Sequence, residues 1–137
     1  MSPVRGRSLH AVLWFGQLVI AAVFAFSGYE KLTRPIAALA GPMPWVLDVP
    51  PMLVTFIGAC EVAGAIGLVL PALTGIQPGL TPLAAVGLTT LMSLASIFHF
   101  GRGEFGYLVV TAPLALACAF IAWGRLTRDS IRERLGG

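Results

Sequence analysis

A single carboxylic acid, Glu61, stands in a long uncharged part of the chain. Between Val49 and Gly101 no other charged residue occurs. A charged side chain near the centre of a bilayer costs about 2.5–3.5 kcal/mol on insertion scales. Such a group must face other protein, either paired or protonated. Two chemistries are open to it. It can be a structural acid that locks helix packing by hydrogen bonding, or an acid that contacts a ligand or handles a proton.

Lys31 is the candidate cation. Gln17, Phe24, Gly28 and Lys31 recur at spacings of 7, 4 and 3, which places them on one face of a helix. Lys31 ends its apolar stretch near the membrane boundary, whereas Glu61 lies roughly 13 Å below that boundary at 1.5 Å per residue. The remaining gap of roughly 12 Å allows a direct pair only with helix tilt or a bridging water. Lys31 is then either a snorkelling anchor or an interior partner of Glu61 or of a ligand.

Thr89, Ser93, Ser96 and His99 follow one another at spacings of 4, 3 and 3. Each residue turns a helix by about 100°, so the four share about a third of its circumference. Lipid cannot satisfy hydroxyls, so this stripe is expected to face inward. Its hydroxyls either bond back to their own helix or line a polar interior. With Arg102 and Glu104 beside it, His99 is placed to titrate near neutral pH. The polar interior predicted from these patterns is Glu61, Lys31, His99, Gln17, Ser93 and Ser96.

Other chemistry is argued away. The two histidines, His10 and His99, fall at opposite faces and cannot hold one haem between them. No acid or histidine cluster has metal spacing, no glycine-rich phosphate loop is present, and no Ser–His–Asp set is credible. Cys60 and Cys118 lie in apolar stretches without a CxxC motif, so they read as buried thiols. A redox role would need a bound cofactor such as a quinone, or a partner subunit.

The elements that must carry these groups follow from composition. Only 11% of the 137 residues are charged and 57% are hydrophobic, against roughly 25% charged in soluble domains. So few charges cannot cover a water-exposed surface of this size, and lipid must be the solvent for most of it. A nucleic-acid partner is excluded, because the net charge of +3 sits in tails and loops. The expected fold is all-α: a four-helix transmembrane bundle in a single domain, with spans at about 9–29, 52–73, 80–100 and 106–124. Each is long enough for the ~20 residues that cross a bilayer. The first is read as a retained helix, since it is longer than a signal-peptide core and lacks a cleavage site.

Pro71, Gly75, Pro78, Gly79 and Pro82 mark the turn between the second and third spans. Pro113 in the fourth is tolerated as a kink. The proline-rich stretch from Thr33 to Pro51 is expected to be a short interfacial segment, with Ile36, Leu39, Trp45 and Leu47 resting at headgroup depth. Counting Lys and Arg gives six on the side of the termini (Arg5, Arg7, Arg125, Arg128, Arg132, Arg134) and three on the other (Lys31, Arg34, Arg102). Both termini are therefore expected in the cytoplasm, with 125–137 as a basic cytoplasmic tail.

Several short motifs resemble those of DoxX-like membrane proteins. Phe26-Ser27-Gly28-Tyr29-Glu30-Lys31-Leu32 is similar to the family's F-x-G-x-x-K-L. The run from Glu61 to Pro71 is similar to its E-x-x-G-x-x-G-L-x-L-P. Thr74-Gly75-Ile76, Thr81-Pro82-Leu83-Ala84-Ala85, and Phe98-His99-Phe100 with Arg102-Gly103-Glu104 also match. The resemblance spans about Leu13 to Arg125. It implies a four-helix bundle in the bacterial inner (plasma) membrane and singles out Lys31, Glu61 and His99. Relatives of this kind include small subunits of a thiosulfate:quinone oxidoreductase, proteins associated with oxidative stress, and distant eukaryotic membrane chaperones.

Two functions are expected on these grounds. One is an accessory subunit of a membrane redox complex, with a polar-lined pocket for a quinone or a bound lipid. The other is a non-enzymatic chaperone, assembly or structural subunit. The latter would pack against another membrane protein, or a second copy of itself, through the small-residue ridges Ala59, Ala63, Gly67 and Cys60, Gly64, which allow close helix contact, and through the basic tail Leu126–Leu135. A transporter is a third and weaker reading, since four spans are few and no repeat is visible.

Overall fold

The computed structural model describes residues 3–131. They form α1 (Pro3–Thr33), a single turn α2 (Ile36–Leu39), α3 (Pro51–Thr74), α4 (Leu80–Gly101) and α5 (Phe105–Trp123). Among the described residues there is no strand, and four helices are long and apolar enough to cross a membrane. The all-α, four-helix architecture expected from the charge gaps is the one observed. The part of the tail beyond residue 131, with Arg132 and Arg134, lies outside the described residues.

Each boundary has a local cause. Pro51 opens α3 at the first helical position, where the missing N–H costs nothing. Gly75 closes it in the left-handed conformation (φ 69°), its N–H donating to the Pro71 carbonyl at 2.9 Å. Glycine adopts that conformation without a Cβ clash. The helix thus runs through Pro71 and stops only at Gly75. Gly103 (φ 71°) makes the turn from α4 into α5.

The main core joins all four long helices through Phe24, Leu68, Leu88 and Ile121, each no more than 2% exposed. Glycines set the closest approaches. A β-carbon on Gly28 would sit 2.6 Å from the Gly58 carbonyl oxygen and 2.7 Å from Val62 Cγ2. One on Gly64 would meet Leu88 at 2.6 Å, and one on Gly67 would meet Ala84 at 2.7 Å. These small residues are consumed inside the bundle by α1–α3 and α3–α4 packing, while Ala59 and Ala63 stay on the outer face.

The segment between α1 and α3 differs from its expectation. Leu39 and Trp45 do not rest on an outer surface: they are 0% and 8% exposed and pack with Val46 and Val54 in a second core. Only Leu47 is left outward, at 65%. Burying two large apolar side chains against Val46 and Val54 removes more surface from solvent than laying them flat.

Candidate functional site

The site is built where α1 crosses α3. The contact between Gly28 and Gly58 brings the two backbones together, and it leaves Lys31 beside Gly58: a β-carbon on Gly58 would sit 2.8 Å from Lys31 Cβ. Glu61 is three residues further along α3, about 4.5 Å by helical rise. The lysine stem spans that offset. Lys31 Nζ donates to Glu61 Oε2 at 3.0 Å, to Oε1 at 3.2 Å and to Ser27 Oγ at 2.6 Å. The side chains of Lys31 and Glu61 are 6% and 4% exposed. The pair is therefore direct, at 3.0 Å. The roughly 12 Å estimate took the two helix ends as level. In fact α1 ends two residues beyond Lys31 while α3 extends seven residues beyond Gly58, so α3 rises roughly 7–8 Å past the end of α1, into space covered by the 34–50 segment.

The ion pair forms part of the wall of a cavity of about 620 Å³, within the range of roughly 300–1,000 Å³ usual for small-molecule sites. Ser27, Lys31, Glu61 and Thr111 are the polar lining residues, joined by the amphipathic rings of Trp45 and Tyr107. The rest is aliphatic, Phe or Met, with Phe24, Phe56, Met92 and Phe98 among them. Its exposed lining side chains, including Phe26, Phe56 and Leu94, are all apolar. The mouth is therefore suited to hydrocarbon.

His99 sits behind this wall. Its ring stacks on Tyr107 with centroids 4.3 Å apart and meets Trp45 edge-on at 6.1 Å. Its Nδ1 is 2.7 Å from Glu104 Oε2. Arg102 donates to the same carboxylate from Nε at 3.0 Å, and from Nη2 to Asp48 Oδ2 at 2.6 Å. The network thus straps the 34–50 segment, which carries Trp45, to the α4–α5 turn. The Arg102 hydrogen bond first, and His99 second, hold the Glu104 carboxyl below its ordinary value, and Glu104 and Asp48 together raise the Arg102 guanidinium. His99 therefore supports the ring wall and does not touch the ion pair.

The other predicted residues separate. Ser96 donates to the Met92 carbonyl at 2.8 Å and lies 2.9 Å from Thr111 Oγ1, one step behind the lining. Ser93 is on the exposed face of α4 and outside the cavity, against the inward stripe expected of it. The angular spread of the four residues is wide enough that Ser96 and His99 turn inward while Ser93 turns out. Gln17 is fully buried but belongs to the opposite end. Its Nε2 donates to the Leu68 carbonyl at 2.6 Å, and its Oε1 accepts from Arg125 Nε at 2.6 Å.

Arg125 was expected in a solvated tail and is instead 2% exposed. Its Nη1 donates to Asp129 Oδ2 at 2.5 Å and to the Asp129 carbonyl at 3.2 Å, and it lies 3.3 Å from His10 Nδ1. A π turn, Gly124–Arg128, continues α5 here and is closed by Asp129 N–H on the Gly124 carbonyl at 2.8 Å. A readable signal was present: Cys118, Ile121 and Arg125 are spaced 3 and 4 apart, in phase with the buried face of α5. Ser27 was also missed, although it lies one turn before Lys31, where i, i+4 side chains meet.

A family model described as the DoxX-like family matches residues 15–122 of the chain. No curated protein matches it, and no solved structure does.

Proposed function

The chain belongs to the DoxX-like family, and we propose that it is an accessory subunit of a membrane redox complex that holds a quinone, or another lipid-soluble molecule of that size, in the cavity beside Lys31 and Glu61. The observation that carries this reading is a buried ion pair in the wall of an otherwise apolar cavity. A pair serving packing alone is often replaceable by apolar residues at little cost. Set beside empty space, it supplies a polar anchor in a site that is otherwise oil-like, the usual make-up of a small-molecule pocket. The rings of Phe24, Trp45, Phe98 and Tyr107 line it, and they suit a flat headgroup. Electron transfer would come from a partner, since the site carries no catalytic set of its own. The reading includes a plasma-membrane location with both termini cytoplasmic, on the six-to-three count of Lys and Arg.

The test is extraction from native membranes into polymer nanodiscs, followed by mass spectrometry of retained lipids and proteins. Stoichiometric quinone is expected with the wild type and not with Ala95→Phe, which fills the cavity. Retained quinone at no more than its bulk-lipid ratio, with no oxidoreductase co-purifying, would sink the proposal. A stoichiometric non-redox partner that survives Ala95→Phe would favour the chaperone or structural-subunit reading instead.

A further inference from the structure

The main cavity has a neighbour. A shallow cleft lined by Pro42, Glu104, Gly106, Tyr107 and Val110 opens beside the α4–α5 turn. Tyr107 and Val110 also line the main cavity, so at this point single side chains separate the two spaces. The cleft lies on the charged side of that partition. Glu104 is in its wall, tied through Arg102 to Asp48, and Pro42 and Gly106 are exposed. The exposed lining of the cavity itself is apolar and suits lipid, not water.

Tyr107 is the movable part of the partition. Its ring stacks on His99 with centroids 4.3 Å apart. Its O–H reaches the Pro42 carbonyl only at 3.4 Å, longer than the roughly 2.5–3.0 Å of an ordinary O–H···O bond. Packing therefore holds the ring more than its hydroxyl does. A β-carbon on Gly106 would meet nothing within 4 Å, so the cleft leaves room for the ring to swing. We infer that Tyr107 is a gate through which water and small polar solutes pass from this cleft to the polar lining of the cavity, Ser27, Lys31, Glu61 and Thr111. The inference rests on the pocket reading above and adds a second access to it. A quinone taken in from the lipid changes its proton content when it is reduced or oxidised, and an apolar mouth does not supply protons. The gate brings water to the headgroup while the tail stays in oil.

The experiment uses the full chain in nanodiscs. Cys60→Ala removes the half-buried thiol, and Ala95→Cys places one in the cavity wall. Cys118, fully buried in the core, is kept as a reporter of folding. The probes are an anionic sulfonatoethyl thiosulfonate, which does not enter lipid, and the uncharged methyl thiosulfonate, which does. Labelling of each thiol is read by mass spectrometry after digestion. With Tyr107 in place, the anionic reagent should label the introduced thiol slowly and leave Cys118 untouched. A gate open ~10% of the time or less limits that rate, so Tyr107→Ala should raise it about tenfold or more. The uncharged reagent should react as before, and Tyr107→Phe, which keeps the stack, should match the native gate. If Tyr107→Ala exposes Cys118, the bundle has opened, and Tyr107→Leu replaces it with a smaller acceleration expected. If both expose Cys118, the rates with Tyr107 in place decide alone. No anionic labelling of the introduced thiol with Tyr107 in place, or labelling there as fast as a free thiol, overturns the gate. So does an unchanged anionic rate in Tyr107→Ala with Cys118 protected. Each of these leaves the quinone pocket standing. Acceleration in a protein that retains no quinone supports the gate and overturns the proposed occupant.

Discussion

Replacing Lys31 with Met removes the ammonium and keeps most of the side chain's length. Glu61, 4% exposed in its side chain, would lose its charged partner at both oxygens. Breaking a buried pair by deleting one member costs about 3–5 kcal/mol. Glu61→Leu strands Lys31 instead, but Lys31 lies two residues from the end of α1 and can turn outward, so about 2 kcal/mol is expected. The double variant Lys31→Met/Glu61→Leu leaves no stranded charge. It should be more stable than the sum of the single losses predicts, by about 2–3 kcal/mol. The measurement is reversible unfolding in mixed micelles, or steric trapping in bilayers, across the four proteins of the cycle. Additivity within about 0.5 kcal/mol would mean that the two groups do not interact, and the geometry of the site would be wrong.

Gly28→Ala should destabilise by about 1–3 kcal/mol, because its β-carbon would press on the Gly58 carbonyl oxygen and the Val62 backbone nitrogen at 2.6 and 3.0 Å. Gly87→Ala, with nothing within 4 Å, should be neutral or better in the same unfolding assay. Arg125→Met should cost about 2–4 kcal/mol, since it strips Gln17 Oε1 of its donor and leaves Asp129 with His10 alone. Arg125→Lys should recover only part of that, because an ammonium lacks the planar fork. Glu104 titrates below its ordinary value of 4.5. Its stabilising contribution is therefore complete above that value and is lost as pH falls through the lower folded one. Trp45 fluorescence in a Trp14→Phe/Trp123→Phe background should stay flat from neutrality down to 4.5 and change below it. Glu104→Gln should abolish that transition, and a midpoint near neutrality would contradict the assignment.

The helices were legible because apolar runs and proline-glycine turns are local signals. The 40 residues or so between Glu61 and Arg102 could only be two spans, at about 20 residues per crossing. The pairing of Lys31 with Glu61 was half legible. Both residues stood out, but their relative depth depends on how far α3 outruns α1, and that is set by the Gly28–Gly58 contact and the folded 34–50 segment. Neither is written in one helix alone. Arg125 was misjudged for the opposite reason: its charge was read as a surface signal although its spacing from Cys118 and Ile121 put it on the buried face. Ser93 was misjudged because a stripe a third of a turn wide does not all face one way.

The polar groups divide into two sets at opposite ends of the bundle. Lys31 and Gln17 are about 21 Å apart along α1 by helical rise. Between them lie Ile20, Ala21 and Phe24 on α1, facing Ala65 and Leu68 on α3, Leu88 and Met92 on α4, and Cys118 and Ile121 on α5. The hydroxyl of Thr89, at that depth on α4, donates to the Ala85 carbonyl at 2.7 Å and is committed to its own helix. The cavity thus lies at one end of the bundle, bounded by packed side chains, with Arg125 clamped at the other end. Any molecule held beside Lys31 and Glu61 is thus separated from Gln17 and Arg125 by that apolar layer.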